Sequence, residues 1–75
     1  MMLRVLVPLS FREPDRPNGQ LDVEAGSIFE MVEPADLDKR TREVIERERQ
    51  RGRRFVPLKI DGKVRQVPRE HVEKA

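Results

Sequence analysis

Phe55-Val56-Pro57-Leu58-Lys59-Ile60-Asp61-Gly62-Lys63-Val64-Arg65-Gln66-Val67 is the stretch whose reading decides the fold. From Arg54 to Ile60, the apolar residues Val56, Leu58 and Ile60 share one face and Phe55, Pro57 and Lys59 the other, the period of two that a half-buried strand shows. Asp61-Gly62 follows directly. A two-residue hairpin turn needs positive φ at its central positions, and an Asp-Gly pair meets that demand, so Lys63 to Val67 is expected to return as the antiparallel partner.

Upstream of the hairpin the pattern changes to helix. Pro34 suits a first helical position, Asp36 and Asp38 suit the positive N-terminal end, and the arginines before Gly52 suit the negative C-terminal end. The expected helix occupies about residues 35–51 within a 34–53 segment. Its apolar residues are Leu37, Val44 and Ile45, a narrow stripe that leaves most of its surface wet. Glu43 with Arg47, Glu46 with Arg49 and Glu48 with Arg51 stand at helical spacings that favour ion pairs.

The first half reads as strand, loop and strand. Leu3 to Phe11 is rich in Val and Leu, with Leu3, Val5 and Val7 alternating and Pro8 marking a sheet edge or strand end. Residues 12–20 hold two prolines and Asn18-Gly19, which predicts a long exposed loop. Gln20 to Glu24 extends weakly, Ala25-Gly26 turns, and Ser27 to Val32 is a strand with apolar residues on both faces, as burial on two sides or partial cover by the helix requires. After the hairpin, Pro68 to Glu73 predicts one helical turn that leaves Val72 pointing at the core. The expected core is Val5, Val7, Ile28, Val32, Val56, Leu58, Ile60, Val64 and Val72.

The chain has 75 residues, enough for one domain and too few for a large enzyme fold. It contains no Cys, Trp or Tyr and a single His, so thiolate metal sites, disulfides and most catalytic constellations lack their usual residues. Ser10 and Ser27 have only His71 to serve as a base, and His71 has no second His or Cys beside it for a metal. The four glycines are scattered singly and form no phosphate-binding loop. No apolar run approaches the roughly 18–20 residues that span a bilayer, and residues 1–8 are too short for a signal sequence, so a cytoplasmic location is expected.

Charge is unevenly distributed. Residues 1–38 carry net −5, residues 39–54 net +5 and residues 55–75 net +2. Such a dipole suggests an anionic partner or head-to-tail pairing between copies.

The order of strand, polar loop, strand, helix, hairpin and closing turn resembles the Src-homology-3 family. Gln20 to Val32 resembles the segment in which that family passes through a Gly-containing turn into a strand. Val67-Pro68-Arg69-Glu70-His71-Val72-Glu73 is similar to its closing Val-Pro-Ser-Asn-Tyr-Val stretch. The resemblance covers residues 3–33 and 54–73 and implies a mainly β, small five-stranded barrel, residues 1–75 forming one domain with the helix as an insertion before the final hairpin. The family's proline-rich ligands dock on Tyr and Trp side chains. Here His71 stands at the Tyr-like position and Arg53-Arg54-Phe55 at the Trp-like one. Residues 2–33 also resemble, more weakly, short barrel proteins of tailed phages and prophages, which implies a virion location as the alternative.

The basic stretch from Lys39 to Arg54 is the most function-like feature. Arg42, Arg47, Arg49, Arg51, Arg53 and Arg54 are the candidate contact residues. Arg49, Arg51, Arg53 and Arg54 are the least neutralised by neighbouring carboxylates. The stretch reads as a solvated helix face laced with ion pairs, as a surface for an acidic protein, or as a phosphate-binding face for nucleic acid. The interleaved glutamates and the lack of Tyr and Trp for base stacking disfavour nucleic acid. The expected function is a non-catalytic protein-interaction or assembly module, with a protein partner or self-association ahead of nucleic acid. No cofactor, metal, membrane or small-molecule substrate is expected.

Overall fold

The computed structural model describes residues 1–75. Seven strands and one α-helix follow in the order β1 (Met2–Val5), β2 (Leu9–Arg12), β3 (Gln20–Val23), β4 (Ile28–Glu30), α1 (Lys39–Gln50), β5 (Phe55–Ile60), β6 (Lys63–Pro68) and β7 (Val72–Lys74). The protein is mainly β, with its helix before the last long hairpin, as expected. The strands form three antiparallel ladders, β4-β1-β7, β2-β3 and β5-β6. One bridge, Met31 opposite Leu58, joins the first to the third, and the Val32 N–H donates to the Pro57 carbonyl at 2.9 Å beside it. The ladders do not close into one hydrogen-bonded barrel.

The β5–β6 hairpin forms as its sequence dictates. Asp61 and Gly62 have φ of 54° and 76°, the left-handed pair of a two-residue hairpin turn. That turn sets Ile60 opposite Lys63, Leu58 opposite Arg65 and Val56 opposite Val67. Paired residues share a face, so the core-facing side carries Val56, Leu58, Ile60 and Val67 but also Arg65. The opposite side pairs Lys59 with Val64.

This register corrects one expected core residue, since Val64 beside Lys59 faces outward and is 45% exposed. Ile28 is corrected on the same grounds. It pairs with Arg4 on the outer face while Phe29 pairs with Leu3 on the inner, so it is 47% exposed and β4 is not buried on both sides. Val7 is exposed because the expected single strand 3–11 is two strands. Pro8 cannot donate to a ladder, and the chain leaves β1 after Val5, with the Leu6 N–H held by the His71 carbonyl at 2.8 Å. The core consists of Leu3, Val5, Val23, Val56, Leu58, Ile60, Val67 and Val72, edged by Leu9, Phe11, Leu21, Phe29 and Met31. Val32, also expected in the core, is half-buried and belongs neither to the cluster nor to its edge.

The helix is shorter than expected. Pro34–Asp36 makes a separate 3-10 turn, Leu37 is extended with ψ 146°, and Asp38 is the N-cap of α1, its side chain accepting from the Thr41 N–H at 2.7 Å. Asp38 thus acts before the helix rather than inside its first turn. Those hydrogen bonds from Thr41 lower its pKa, with Arg40 and Arg42 adding a smaller attraction. Leu37 is buried while no residue of α1 is, so the segment is pinned mainly by its lead-in. After β6 a 3-10 turn, Arg69–His71, leads into β7, and Val72 is buried as expected.

The 12–20 segment departs most from expectation. β2 and β3 pair from Leu9 opposite Val23 to Arg12 opposite Gln20, so it forms the end of an arm. Glu13 is buried at 7% exposure, with Oε1 2.8 Å from Lys63 Nζ and Oε2 2.7 Å from Arg65 Nη2. Arg16 meets Asp61 at 2.6 Å. The arm is therefore tied to the tip of the β5–β6 hairpin and is not a free loop.

Candidate functional site

The 53–56 and 68–70 segments are brought side by side by the far end of the β5–β6 ladder. Phe55 pairs with Pro68, and the Arg69 N–H donates to the Arg54 carbonyl at 2.9 Å. A groove of about 530 Å³ opens there, lined by Arg53, Arg54, Phe55, Pro68, Arg69 and Glu70 among others. A second hollow of about 270 Å³ shares Arg54, Phe55 and Arg69 and adds Ile45 and Arg49 from α1. The floor is Phe55, Pro68 and Ile45, and four guanidinium-bearing residues border it.

The cations differ in how far the chain itself satisfies them. Arg49 lies 3.8 Å from Glu46, and Arg51 and Arg53 lie 3.9 and 3.5 Å from Glu48. These are long pairs of small energetic weight, their arginines exposed and Glu48 half-buried. Glu43 and Arg47 do not pair. Arg54 has no carboxylate partner, and the Arg69 guanidinium donates only to the Val72 carbonyl at 3.2 Å, leaving both able to meet an incoming anion. Glu70 at the rim is the one acidic group of the larger groove.

Of the sequence-predicted residues, Arg49, Arg53 and Arg54 thus converge on this groove. Arg42 lies on the same helix flank, in a separate hollow over Leu37, Ile45 and Pro57 that Arg49 also borders. Arg47 and Arg51, four residues apart, share the side of α1 turned away from Arg42 and Arg49, and Arg51 as the C-cap lies beside Glu48. The helical period therefore divides the basic stretch between two sides of α1, with Arg53 and Arg54 following the helix. Arg69 and Pro68 join the site without having been named as contact residues, and Phe55 entered only through its Trp-like position. The hairpin register alone places Pro68 opposite Phe55 and could have found them.

A second charged cluster, Glu13 with Lys63 and Arg65, is structural. Arg65 is held on all sides: Nε donates to the Ile60 carbonyl at 3.2 Å, Nη2 to Glu13, and its guanidinium lies 5.3 Å from the centre of the Phe11 ring. The hydrogen bond from Lys63, then that from Arg65, lowers the Glu13 pKa to about 2. The side-chain Nδ1 of His71 is buried without a partner, and its Nε2 is 3.9 Å from Glu70 Oε1, beyond hydrogen-bond range. No group of three or more His, Cys, Asp or Glu side chains is placed to hold a metal ion. No helix is long and apolar enough to cross a membrane. No protein-family model, curated protein or solved structure matches the chain.

Proposed function

We propose that the chain is a non-catalytic interaction or assembly module on a Src-homology-3-like barrel, whose arginine-bordered groove receives an acidic segment of a protein partner. The barrel reading draws support from the strand order: β7, β1 and β4 continue through the Met31–Leu58 bridge into β5 and β6, five strands in line. The β2–β3 arm precedes β4, and the 3-10 turn follows Pro68, in the places the resemblance implies. The resemblance of residues 2–33 to short phage barrels places assembly among the roles this module would serve.

The observation that carries the functional reading is the pair Arg54 and Arg69, exposed, without carboxylate partners, and flanking an apolar floor of Phe55 and Pro68. A short acidic segment with an apolar residue matches that combination. Nucleic acid, the second reading, needs a longer cationic track, and Glu46, Glu48 and Glu70 interrupt this one. A labelled Glu-rich decapeptide with one central Leu, titrated at low salt, is expected to bind and to be lost from Arg54→Ala/Arg69→Ala. Single-stranded and duplex DNA of similar charge is expected to bind more weakly. Tighter DNA binding, lost in the same variant, would transfer the groove to nucleic acid; no binding of either ligand refutes the groove.

A further inference from the structure

The molecule carries a second unneutralised surface of opposite sign. Glu30, Glu33 and Asp36 are exposed and border a shallow hollow of about 330 Å³ floored by Met31, Val32 and Val64. None of the three carboxylates forms an ion pair within the chain, where every pair involves other acidic groups. Lys59 is the one cation at its edge. Val64, 45% exposed, gives this hollow an apolar centre, just as Phe55 and Pro68 give one to the arginine groove.

The two surfaces cannot neutralise each other within one molecule. Lys59–Val64 and Phe55–Pro68 lie four pairs apart on the β5–β6 ladder, a separation of roughly 13 Å at strand rise. Between them lies the hollow lined by Leu37, Ile45 and Pro57, where α1 rests on β5. Each surface leaves an excess of one sign unpaired: Arg54 and Arg69 against Glu70 at one end, and Glu30, Glu33 and Asp36 against Lys59 at the other. Both have apolar floors, and the numbers of free charges are similar.

Resting on the reading of the groove as an anion-receiving surface, we infer that its partner is a second copy of this chain, whose Glu30–Asp36 edge docks between Arg54 and Arg69. Because the contact joins two different patches, it is heterologous, and every added copy presents a new free groove and a new free acidic edge. Such a contact propagates into a chain, or closes into a ring where the rotation allows. The net −5 of residues 1–38 and +5 of residues 39–54 orient approaching copies head to tail.

Sedimentation velocity on the full chain tests this directly. At about 50 mM salt the wild type is expected to grow in mass with concentration, and at about 500 mM to sediment as a monomer, since exposed pairs are screened over a few ångströms at high salt. Arg54→Gln/Arg69→Gln and, separately, Glu30→Gln/Glu33→Gln/Asp36→Asn are each expected to weaken association by at least about ten-fold. Circular dichroism verifies that each variant folds.

The decisive sample is their mixture. One variant keeps the acidic edge and the other keeps the groove, so together they form a one-to-one dimer that grows no further. A wild type that remains monomeric at low salt while its groove still binds the Glu-rich decapeptide overturns the inference and leaves the groove reading standing. A wild type that neither associates nor binds the peptide overturns both. Variants that associate as strongly alone as the wild type overturn the head-to-tail contact.

Discussion

Glu13 is separated from Lys63 by 50 residues and from Arg65 by 52, yet it holds both. The cause is local to the hairpin: a two-residue turn at Asp61-Gly62 forces Arg65 onto the core-facing side opposite Leu58. A guanidinium at 10% exposure needs a counter-charge and hydrogen-bond acceptors, and Glu13, Ile60 and the Phe11 ring supply them. Its carboxylate pKa of about 2 lies below the ordinary 4.5, so the folded state binds fewer protons than the unfolded one across that interval. The stabilisation from this group is complete above about pH 4.5 and is lost as pH falls toward 2. Thermal melts of the wild type are therefore expected to fall along that limb, and Glu13→Gln to flatten it. At neutral pH the same variant leaves Arg65 buried and unpaired, and its Tm is expected to drop by about 5 °C or more. An unchanged acid limb in the variant would remove Glu13 as its source. Leu58, fully buried at the centre of the core, is the other residue on which folding depends. Its replacement by Ala costs about 2–5 kcal/mol, comparable with the whole stability of a domain this small, so Leu58→Ala is expected to be largely unfolded by circular dichroism at 25 °C.

Elements set by local chemistry were legible in the sequence, and those set by distant partners were not. The β5–β6 hairpin follows from Asp61-Gly62 and an alternating strand, and both turn residues adopt the left-handed conformation that the pair predicts. Gly62→Ala, forced to φ near 76°, is expected to lose about 1 kcal/mol in denaturant unfolding, whereas Asp61→Asn, which tolerates that region, costs less. The helix was also legible, but its start was not. In the sequence Asp36 and Asp38 suit the positive end of a helix that begins near residue 35, whereas the extended Leu37 delays the start and makes Asp38 the cap. Asp38→Ala is expected to fray the first turn of α1 and reduce ellipticity at 222 nm, and Asp38→Asn to preserve it. The outward faces of Ile28 and Val64 depend on which residue lies opposite, a matter of register between strands, so apolar character alone misplaced them. Half of the groove was legible for the same reason. Its arginines on the 49–54 stretch announce themselves by composition, whereas Arg69 arrives through strand pairing.

At the scale of the molecule, the sheet and the helix divide the work. The core cluster draws every member from strands, and the 34–53 segment contributes only Leu37 to the buried set, outside that cluster. The chain on either side of the segment is already in contact, with the Val32 N–H bound to the Pro57 carbonyl at 2.9 Å. Replacing residues 34–52 by a short Asn-Gly turn would sacrifice the burial of Leu37, worth about 1.5–3 kcal/mol. The shorter connection would return about 1 kcal/mol by lowering the entropy of loop closure. The two terms leave a net loss smaller than the roughly 3–5 kcal/mol that a core of this size supplies. The shortened chain is therefore expected to keep a cooperative melt and dispersed strand resonances with a Tm lower by several degrees, and to keep peptide binding through Arg54 and Arg69, weakened by the loss of Arg49 and Ile45. Collapse of that variant to an unfolded chain would mean that α1 is a structural member of the fold and not a surface carried by it.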